Sequence, residues 1–598
     1  MSSWRRIAGL LTPGERRRGL LLVLLMIVNA TVETAGVASV LPFLAVLGNP
    51  GVVESNSALR WVFDALEFDS VDRFLLFLGV SSLVAVMGSA IIRVITEYGL
   101  VRFVELRRHS LSYRLLERYL RQPYPFFVNR NSAHLSKAIL SEVDHVVGSV
   151  FLPALGIPAY GFVTLGLVTL LIVVDPVVAV VVALVVGAAY GGLYLAVLRT
   201  IRRRGTDRVE ANRARFATAA EVFGGIKEVK LLGREDAYLR RFRDPSLRFS
   251  QHQAVVRTVS VIPRYLIEAI GFGAILALAI SMIAVGDDLG KVLPVLGLYA
   301  FAGYRLLPAV QNLYASFANL RFGIPATEAL YDDLQGLAGG AAATTHGAER
   351  ITLDQTISWR SVTFHYPEAR EAALEDVTLD IPARSIVAFV GETGAGKTTA
   401  VDLILGLLSP TEGEILIDGT PLEDRVLRSW QNSIGYVPQH IYLADDTVLA
   451  NIAFGVPAAE IDEAAAERAA RLARLHDFIS NRLPRGYRTI VGERGVRLSG
   501  GQRQRLGIAR ALYNDPSVLV FDEATSAVDT ITEQEVMSAL HSLAPNKTLI
   551  LVAHRLSTVR EANPIFLLDH GRLVAVGDFD ELVEGSSRFR GLAAGIGS

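Results

Sequence analysis

The sequence predicts a two-part chain, an all-helical membrane domain followed by an α/β domain. Three observations predict it. Six apolar stretches in the first half are long enough to cross a bilayer. Net charge changes sign between the halves. The second half opens with a buried-strand pattern, a glycine loop and an apolar helix.

Composition sets the frame. The 598 residues are 51% hydrophobic and 20% charged, with a mean hydropathy of +0.36. That excludes a disordered chain and is too apolar for an ordinary soluble enzyme. The length suits about three or four domain-sized units. There is no cysteine, which rules out disulfides, thiolate metal sites, iron–sulfur clusters and cysteine nucleophiles. Overall, 59 Lys and Arg stand against 60 Asp and Glu, a net of −1. Residues 1–349 carry 35 against 27, a net of +8, and residues 350–598 carry 24 against 33, a net of −9. A basic membrane half is joined to an acidic half.

A spanning helix needs about 20 mostly apolar residues at about 1.5 Å each. The six stretches run near Leu20–Leu47, Phe74–Leu100, Val147–Val174, Val177–Val197, Val261–Val285 and Val292–Leu320. Asp175-Pro176 stops one helix and leaves room for only a tight turn. The first stretch is too long for a cleaved signal peptide, and five more follow. Arginines cluster at the N-terminus (Arg5, Arg6, Arg16, Arg17, Arg18), after the second stretch (Arg102, Arg107, Arg108) and after the fourth (Arg199, Arg202, Arg203, Arg204). The alternate connections are poor in positive charge. That bias places both termini in the cytosol of a multi-pass protein of the cell (inner) membrane.

The cytosolic connections, roughly residues 101–146 and 198–260, alternate charged and apolar residues at helical spacing. The spans are expected to continue as helical stalks, with turns at Pro123-Tyr124-Pro125 and Leu232–Asp236. The first outer connection sets Leu59, Trp61, Val62, Phe63, Leu66 and Phe68 among acids. Two readings stand side by side: an amphipathic helix on the outer membrane surface, or a helix packed on the ends of the spans.

Charges within spans need a reason. Arg93 with Glu97, and Arg264 with Glu268, are four apart, so each pair can neutralise itself along one helix face. Arg305 has no acid within four residues, and Glu33, alone in the first span, is its expected partner. Arg305 is expected to face a wet cavity and attract an anionic group.

The soluble half carries the chemistry. Residues 336–349 are rich in Gly and Ala and read as a linker, which divides the chain into residues 1–335, 336–349 and 350–598. Strand patterns cover Ile357–Tyr366 and Ser385–Val390. The second ends in Gly391-Glu392-Thr393-Gly394-Ala395-Gly396-Lys397-Thr398-Thr399, a match to G-x-x-x-x-G-K-[ST] between a strand and a helix. Glycines let backbone N–H groups wrap phosphates, and the helix N-terminus adds its positive end. Lys397 supplies a point charge to the β/γ-phosphates and Thr398 an oxygen for Mg²⁺. About 125 residues on, the apolar run Val518–Phe521 delivers Asp522 and Glu523. Asp522 would hold Mg²⁺ through water, and Glu523 would polarise the attacking water.

Leu498-Ser499-Gly500-Gly501-Gln502 resembles the signature of ATP-binding cassette (ABC) proteins. The other cassette elements follow in order. Tyr366 matches the aromatic that stacks on adenine. Gln439 matches the glutamine that senses Mg²⁺ and the transport domain. Asp529, in Ser526–Asp529, matches the loop crossing to a partner cassette, and His554 the switch histidine at the γ-phosphate. Gly492–Gly495 resembles a segment that exporters place against their stalks. Singly, Tyr366 is a strand-packing residue, Gln439 a loop residue and His554 a histidine at a strand end. Together, in order, they remove coincidence.

The resemblance implies an exporter-type half-transporter using ATP and Mg²⁺. Ser499 and Gly501 would bind ATP held on the opposite cassette, so the chain would work as a dimer with a second copy of itself, or with another half-transporter. ATP would join the cassettes and hydrolysis release them, with coupling segments near Phe127–Ser132 and Gly233–Ala237. No cysteine peptidase precedes the spans, so peptide-processing exporters are not expected. Three stretches, Asn129–Ser132, Ile262–Phe272 and Tyr304–Pro308, resemble PglK-type flippases of lipid-linked oligosaccharides. That family's arginines would fall on Arg93, Arg264 and Arg305, where they would attract a polyprenyl pyrophosphate. Exporters of drugs, lipids or peptides share the scaffold, and an ATP-gated or regulatory membrane protein is the alternative of another class. The arginine runs follow from topology, so no nucleic-acid partner is expected.

Overall fold

The structure is a computed structural model. It describes residues 3–128, 130–174, 176–285, 289–336, 349–367, 369–492, 495–522, 545–552 and 559–595. Two compact units divide the chain. The first takes in residues 1–122 and 129–341, and the second residues 342–598 together with Pro123–Val128.

The first unit is helical. Its long elements are α1 (Pro13–Ala38), α2 (Val71–Leu120), α3 (Leu152–Val174), α4 (Pro176–Gly224), α5 (Glu235–Val285) and α6 (Leu289–Gly336). Among the described residues, three stretches are long and apolar enough to cross a bilayer: Pro13–Gly48, Val71–Leu120 and Ser132–Val174. Their apolar side chains face outward. Leu20, Leu76 and Val94 are about 70% exposed, the reverse of a soluble bundle. The inward face is a smaller seam of Ala30, Val37, Leu167, Ala302 and Leu306. α2 is 50 residues long. At about 1.5 Å per residue it exceeds a bilayer core more than twofold, so it continues beyond the span as a stalk.

The first span is not one continuous helix. It breaks at Ser39, and a second helix runs Val40–Gly48. Pro42 lacks an N–H and its ring crowds the carbonyl four residues back. The Ser82 hydroxyl donates to the Ser39 carbonyl at 2.6 Å, satisfying the backbone at the break. α3 ends at Val174 and α4 begins at Pro176, as the proline requires. The outer connection forms the helices Val52–Ser55 and Ser57–Ala65. Phe63 and Phe68 pack on Phe74, with ring centroids 5.3 Å apart in each case. The apolar face of this segment therefore lies on the ends of the spans, while Trp61 stays exposed.

Below the spans, π-helical turns at Ala138–Glu142 and Val147–Phe151 interrupt the segment leading into α3. Glu142 is buried there. It accepts from Arg208 Nη1 at 2.6 Å and Asn212 Nδ2 at 3.0 Å, with Lys137 Nζ at 3.3 Å.

The second unit is built on a six-stranded sheet and a smaller antiparallel one. Its strands are β1 (Thr356–Phe364), β2 (Leu374–Pro382), β3 (Ile386–Val390), β4 (Glu412–Ile417), β5 (Thr420–Pro421), β6 (Ile434–Val437), β7 (Val518–Asp522), β8 (Thr548–Val552), β9 (Ile565–Asp569) and β10 (Arg572–Gly577). The large sheet has the order β10-β9-β3-β8-β7-β6, and the small one β2-β1-β4-β5. In β7 every residue is buried. Val518 and Val520 enter the core on one face, Leu519 and Phe521 the core on the other. Period-two alternation between two covered faces explains an unbroken apolar run. β3 and β7 both pair parallel to β8, with Phe389 and Asp522 each opposite Val552. Strand ends 132 residues apart in sequence, Val390 and Asp522, thus lie at the same end of the sheet.

Candidate nucleotide site and intramembrane arginines

The carboxyl ends of parallel strands are where open α/β sheets take ligands. Here β3 ends in the glycine loop, β6 in Pro438-Gln439 and β7 in Asp522. A cavity of about 640 Å³ lies there, lined by Tyr366, Thr393, Gly394, Lys397, Thr398, Thr399 and Gln439 among others. That volume suits a drug-sized ligand.

The loop is shaped for backbone donors. Gly394 and Gly396 adopt φ of +86° and +100°, a region that costs other residues strain. A Cβ on Gly396 would also lie 2.7 Å from Leu374 Cδ2. The helix α7 (Lys397–Ile404) starts immediately afterwards. Lys397 is buried, and its Nζ donates to the carbonyls of Gly391 at 2.7 Å and Glu392 at 3.0 Å. Ala395 is buried beneath the loop. Tyr366 is half-buried, hydrogen-bonded through Oη to Thr399 Oγ1 at 3.2 Å, with its ring edge-on to Phe364.

Asp522 is buried at the end of β7 and accepts from Tyr436 Oη at 3.4 Å. A second acid belongs to this cluster. Burial, and then the charge of Asp522, push the Asp402 carboxyl up to about 6. The Tyr436 phenol is pushed up by burial and by both acids. Tyr124, from the Pro123–Val128 piece, is pushed up by burial and then by Asp402. Asp402 and Asp522 are buried carboxylates that feel each other's charge, and carboxylate oxygens are the donors a hard divalent cation takes.

Sequence reasoning missed Asp402. The signal was a lone acid inside the apolar run Ala400–Ile404. It also missed Glu371 and His570, which line the cavity. His570 sits at the β9–β10 turn with φ of +45°. Gly571, next to it, donates its N–H to the Ala395 carbonyl at 3.2 Å, and no spacing rule links those two segments.

The signature forms the start of α8 (Gly500–Leu512). Ser499 Oγ accepts from Gln502 N at 3.3 Å, and Gln502 Oε1 accepts from Ser499 N at 2.9 Å, a reciprocal capping box. Ser499 is exposed, and none of Ser499, Gly500, Gly501 and Gln502 belongs to the described lining of the cavity. Glu523, Asp529 and His554 lie outside the described residues, as do Asn129, Glu493 and Arg494.

In the first unit, Arg305 Nη1 meets Glu33 Oε1 at 3.3 Å, as expected. Arg93 corrects the local-pair reading. It reaches the same oxygen of Glu33 at 3.5 Å and, among the described residues, makes no ion pair with Glu97. The cross-helix acid is buried and its charge unscreened, whereas Glu97 is exposed. Arg264 keeps its local partner, Glu268, at 2.7 Å. That pair borders a cavity of about 240 Å³ with Tyr190, Gln311 and Asn312. The structure thus brings Arg93 and Arg305 to one carboxylate and gives Arg264 another.

Comparisons with known proteins agree with this geometry. Residues 374–526 match the family model of the ABC transporter, and residues 43–292 that of the ABC transporter transmembrane region. The chain is 32% identical over 503 residues to an ATP-dependent lipid A-core flippase of Cupriavidus pinatubonensis, covering 81% of each. It is 38% identical over 298 residues, about half of each chain, to the putative multidrug export ATP-binding/permease protein YgaD of Bacillus subtilis. A solved bacterial Atm1-family ABC exporter with ATP bound has the same fold, with a TM-score of 0.77 at 24% identity over 98% of this chain and 99% of that one. The chain belongs to the ABC transporter family: it is a multi-pass membrane protein of exporter type whose ATPase domain is coupled to transport.

Proposed function

We propose that two copies of this chain, each with six spans and both termini in the cytosol, form an ATP-driven flippase for an anionic lipid in the cell (inner) membrane. The observation that carries the cargo reading is the convergence of Arg93 and Arg305 on one carboxylate. Two guanidiniums meet a single buried carboxylate oxygen, at 3.5 and 3.3 Å, and charged groups within spans are costly unless they serve an ion. The specific cargo is a polyprenyl-pyrophosphate-linked oligosaccharide, supported by the PglK-like stretches Ile262–Phe272 and Tyr304–Pro308. Relatives named as lipid A-core flippases favour a second reading, a lipid A-core-like glycolipid.

The residues divide the work. Tyr366 stacks the base. The Gly391–Thr399 loop and Lys397 hold the phosphates. Thr398, Gln439 and, through water, Asp522 hold Mg²⁺, which neutralises phosphate charge when bound. Glu523 orients the attacking water, with His554 at the γ-phosphate. Ser499, Gly501 and Asp529 act on the nucleotide of the other copy. That assignment is supported by an exposed signature outside the cavity lining. Pro123–Val128, grouped with the cassette, and the turn from Ile226–Leu231 to Gly233–Ala237 transmit the motion.

The test is ATPase activity of the purified protein in lipid. Polyprenyl-pyrophosphate glycans, lipid A-core, uncharged drugs and peptides are compared. Stimulation by the pyrophosphate glycan above all others is expected. Greater stimulation by lipid A-core supports the second reading, and a response only to drugs or peptides sinks both.

A further inference from the structure

Glu33 has a role that the nucleotide chemistry leaves unexplained. Its side chain is 6% exposed, that of Arg305 15% and that of Arg93 48%. Both arginines lean on the same carboxylate oxygen, at 3.3 and 3.5 Å. These contacts are long, since charge-assisted N–H···O bonds run about 2.7–2.9 Å. One turn earlier on the same face of α1, Asn29 is 8% exposed and its Oδ1 has no hydrogen-bond partner among the described residues. A buried polar group without a partner costs free energy. At the level of Glu33, therefore, two guanidiniums share one carboxylate oxygen through long contacts, one turn from an amide oxygen that lacks a donor among the described residues.

We propose that Glu33 is a positioning residue that serves as a displaceable internal counter-ion. It keeps Arg93 and Arg305 converged while no cargo is present, and the cargo's phosphate oxygens replace it. The inference rests on the anionic-lipid reading above and adds what selects among anions. A buried arginine stripped of its partner is strongly destabilising. Exchange of one anion for another avoids that state for the arginines, and the displaced Glu33 takes up a proton, giving an O–H that can donate to Asn29 Oδ1 one turn away. A pyrophosphate offers several oxygens to two planar forks at once, which a single carboxylate oxygen does not. A singly charged headgroup competes poorly with Glu33, and an uncharged one does not compete. Glu33 therefore sets a threshold of headgroup charge that cargo must exceed.

The experiment uses the full chain in phosphatidylcholine nanodiscs. ATPase stimulation is titrated with a polyprenyl pyrophosphate, a polyprenyl monophosphate and the uncharged polyprenol. Wild type is compared with Glu33→Gln and Glu33→Asp. Removing the competitor by Glu33→Gln is expected to lower the half-saturating pyrophosphate concentration about tenfold. It should also narrow the gap between monophosphate and pyrophosphate, and leave polyprenol inert. A purely structural role would depress the maximal rate for every lipid and leave that gap in place. If Glu33→Gln does not fold, Glu33→Asp, which retracts the carboxylate, is expected to shift half-saturation in the same direction by a smaller factor. Wild-type stimulation with neither variant shifting half-saturation downward overturns the role of Glu33 alone. A wild type that responds to neither charged lipid overturns the anionic-lipid reading as well.

Discussion

Lys397 folds back on its own loop, with Nζ 2.7 Å from the carbonyl oxygen of Gly391. A buried ammonium held by two backbone carbonyls is preorganised: its position is set before any phosphate arrives. Lys397→Ala removes that charge. It is expected to reduce ATP turnover at least about 100-fold, with nucleotide binding by fluorescence falling in parallel. The Gly391 and Glu392 carbonyls lose a partner, so a modest fall in melting temperature accompanies it.

Ser499 is exposed at the head of α8, outside the described lining of the cavity. If the signature acts across a dimer, location matters. Dimers with Lys397→Ala in one copy and Ser499→Arg in the other retain one intact site. Dimers with both changes in one copy and none in the other retain no intact site. Tagged, co-purified mixed dimers should trap nucleotide in the first case and fail in the second. Equal trapping in both would contradict the shared site.

Asp402 provides a pH handle. Burial pushes its carboxyl up to about 6 in the folded protein, from an ordinary value near 3.8, so between those values the folded state holds the extra proton. Stability of the nucleotide-free cassette is therefore greatest below about pH 4 as far as this group is concerned, and falls as pH rises through about 6. The loss is roughly 2–3 kcal/mol. Asp402→Asn should remove that slope and raise the melting temperature at pH 7.5 by several degrees. Scanning calorimetry of the full chain between pH 5 and 7.5 checks it, and an unchanged slope would count against the assignment.

Glu142 is fixed by Arg208, Lys137 and Asn212 at a π-helical turn. Glu142→Gln leaves two buried cations without their acid and should cost about 3–5 kcal/mol. Hydrogen exchange across residues 132–151 is expected to accelerate, while exchange in the cassette sheet is unchanged. Uniform acceleration over both units would show that the cluster is not local.

Sequence carried the site where chemistry is contiguous. The glycine loop, Asp522 at the end of β7 and the capping box at Ser499 each belong to short segments whose neighbours along the chain are their neighbours in space. It carried helix boundaries where one residue decides them, as at Pro176. Arg93 shows the limit. An acid four residues away looks like its partner, yet the structure pairs it with Glu33, 60 positions earlier. His570 was hidden for the same reason, and Asp402, although it follows the loop directly, gains its meaning only because strand order brings Asp522 beside it. The outer helix was ambiguous because an amphipathic face reads alike against lipid and against Phe74. The break at Ser39 was written in Pro42 but masked by an apolar run that continues across it.

Movement of cargo against a background of ATP is the most direct test. The protein is reconstituted in sealed vesicles with a labelled polyprenyl-pyrophosphate glycan, and its arrival in the opposite leaflet is followed. Wild type with ATP and Mg²⁺ should move it, while Glu523→Gln should bind ATP yet turn it over about 10²–10⁴-fold more slowly and move almost none. Translocation that persists without ATP, or that is undiminished in Glu523→Gln, would contradict an ATP-driven flippase.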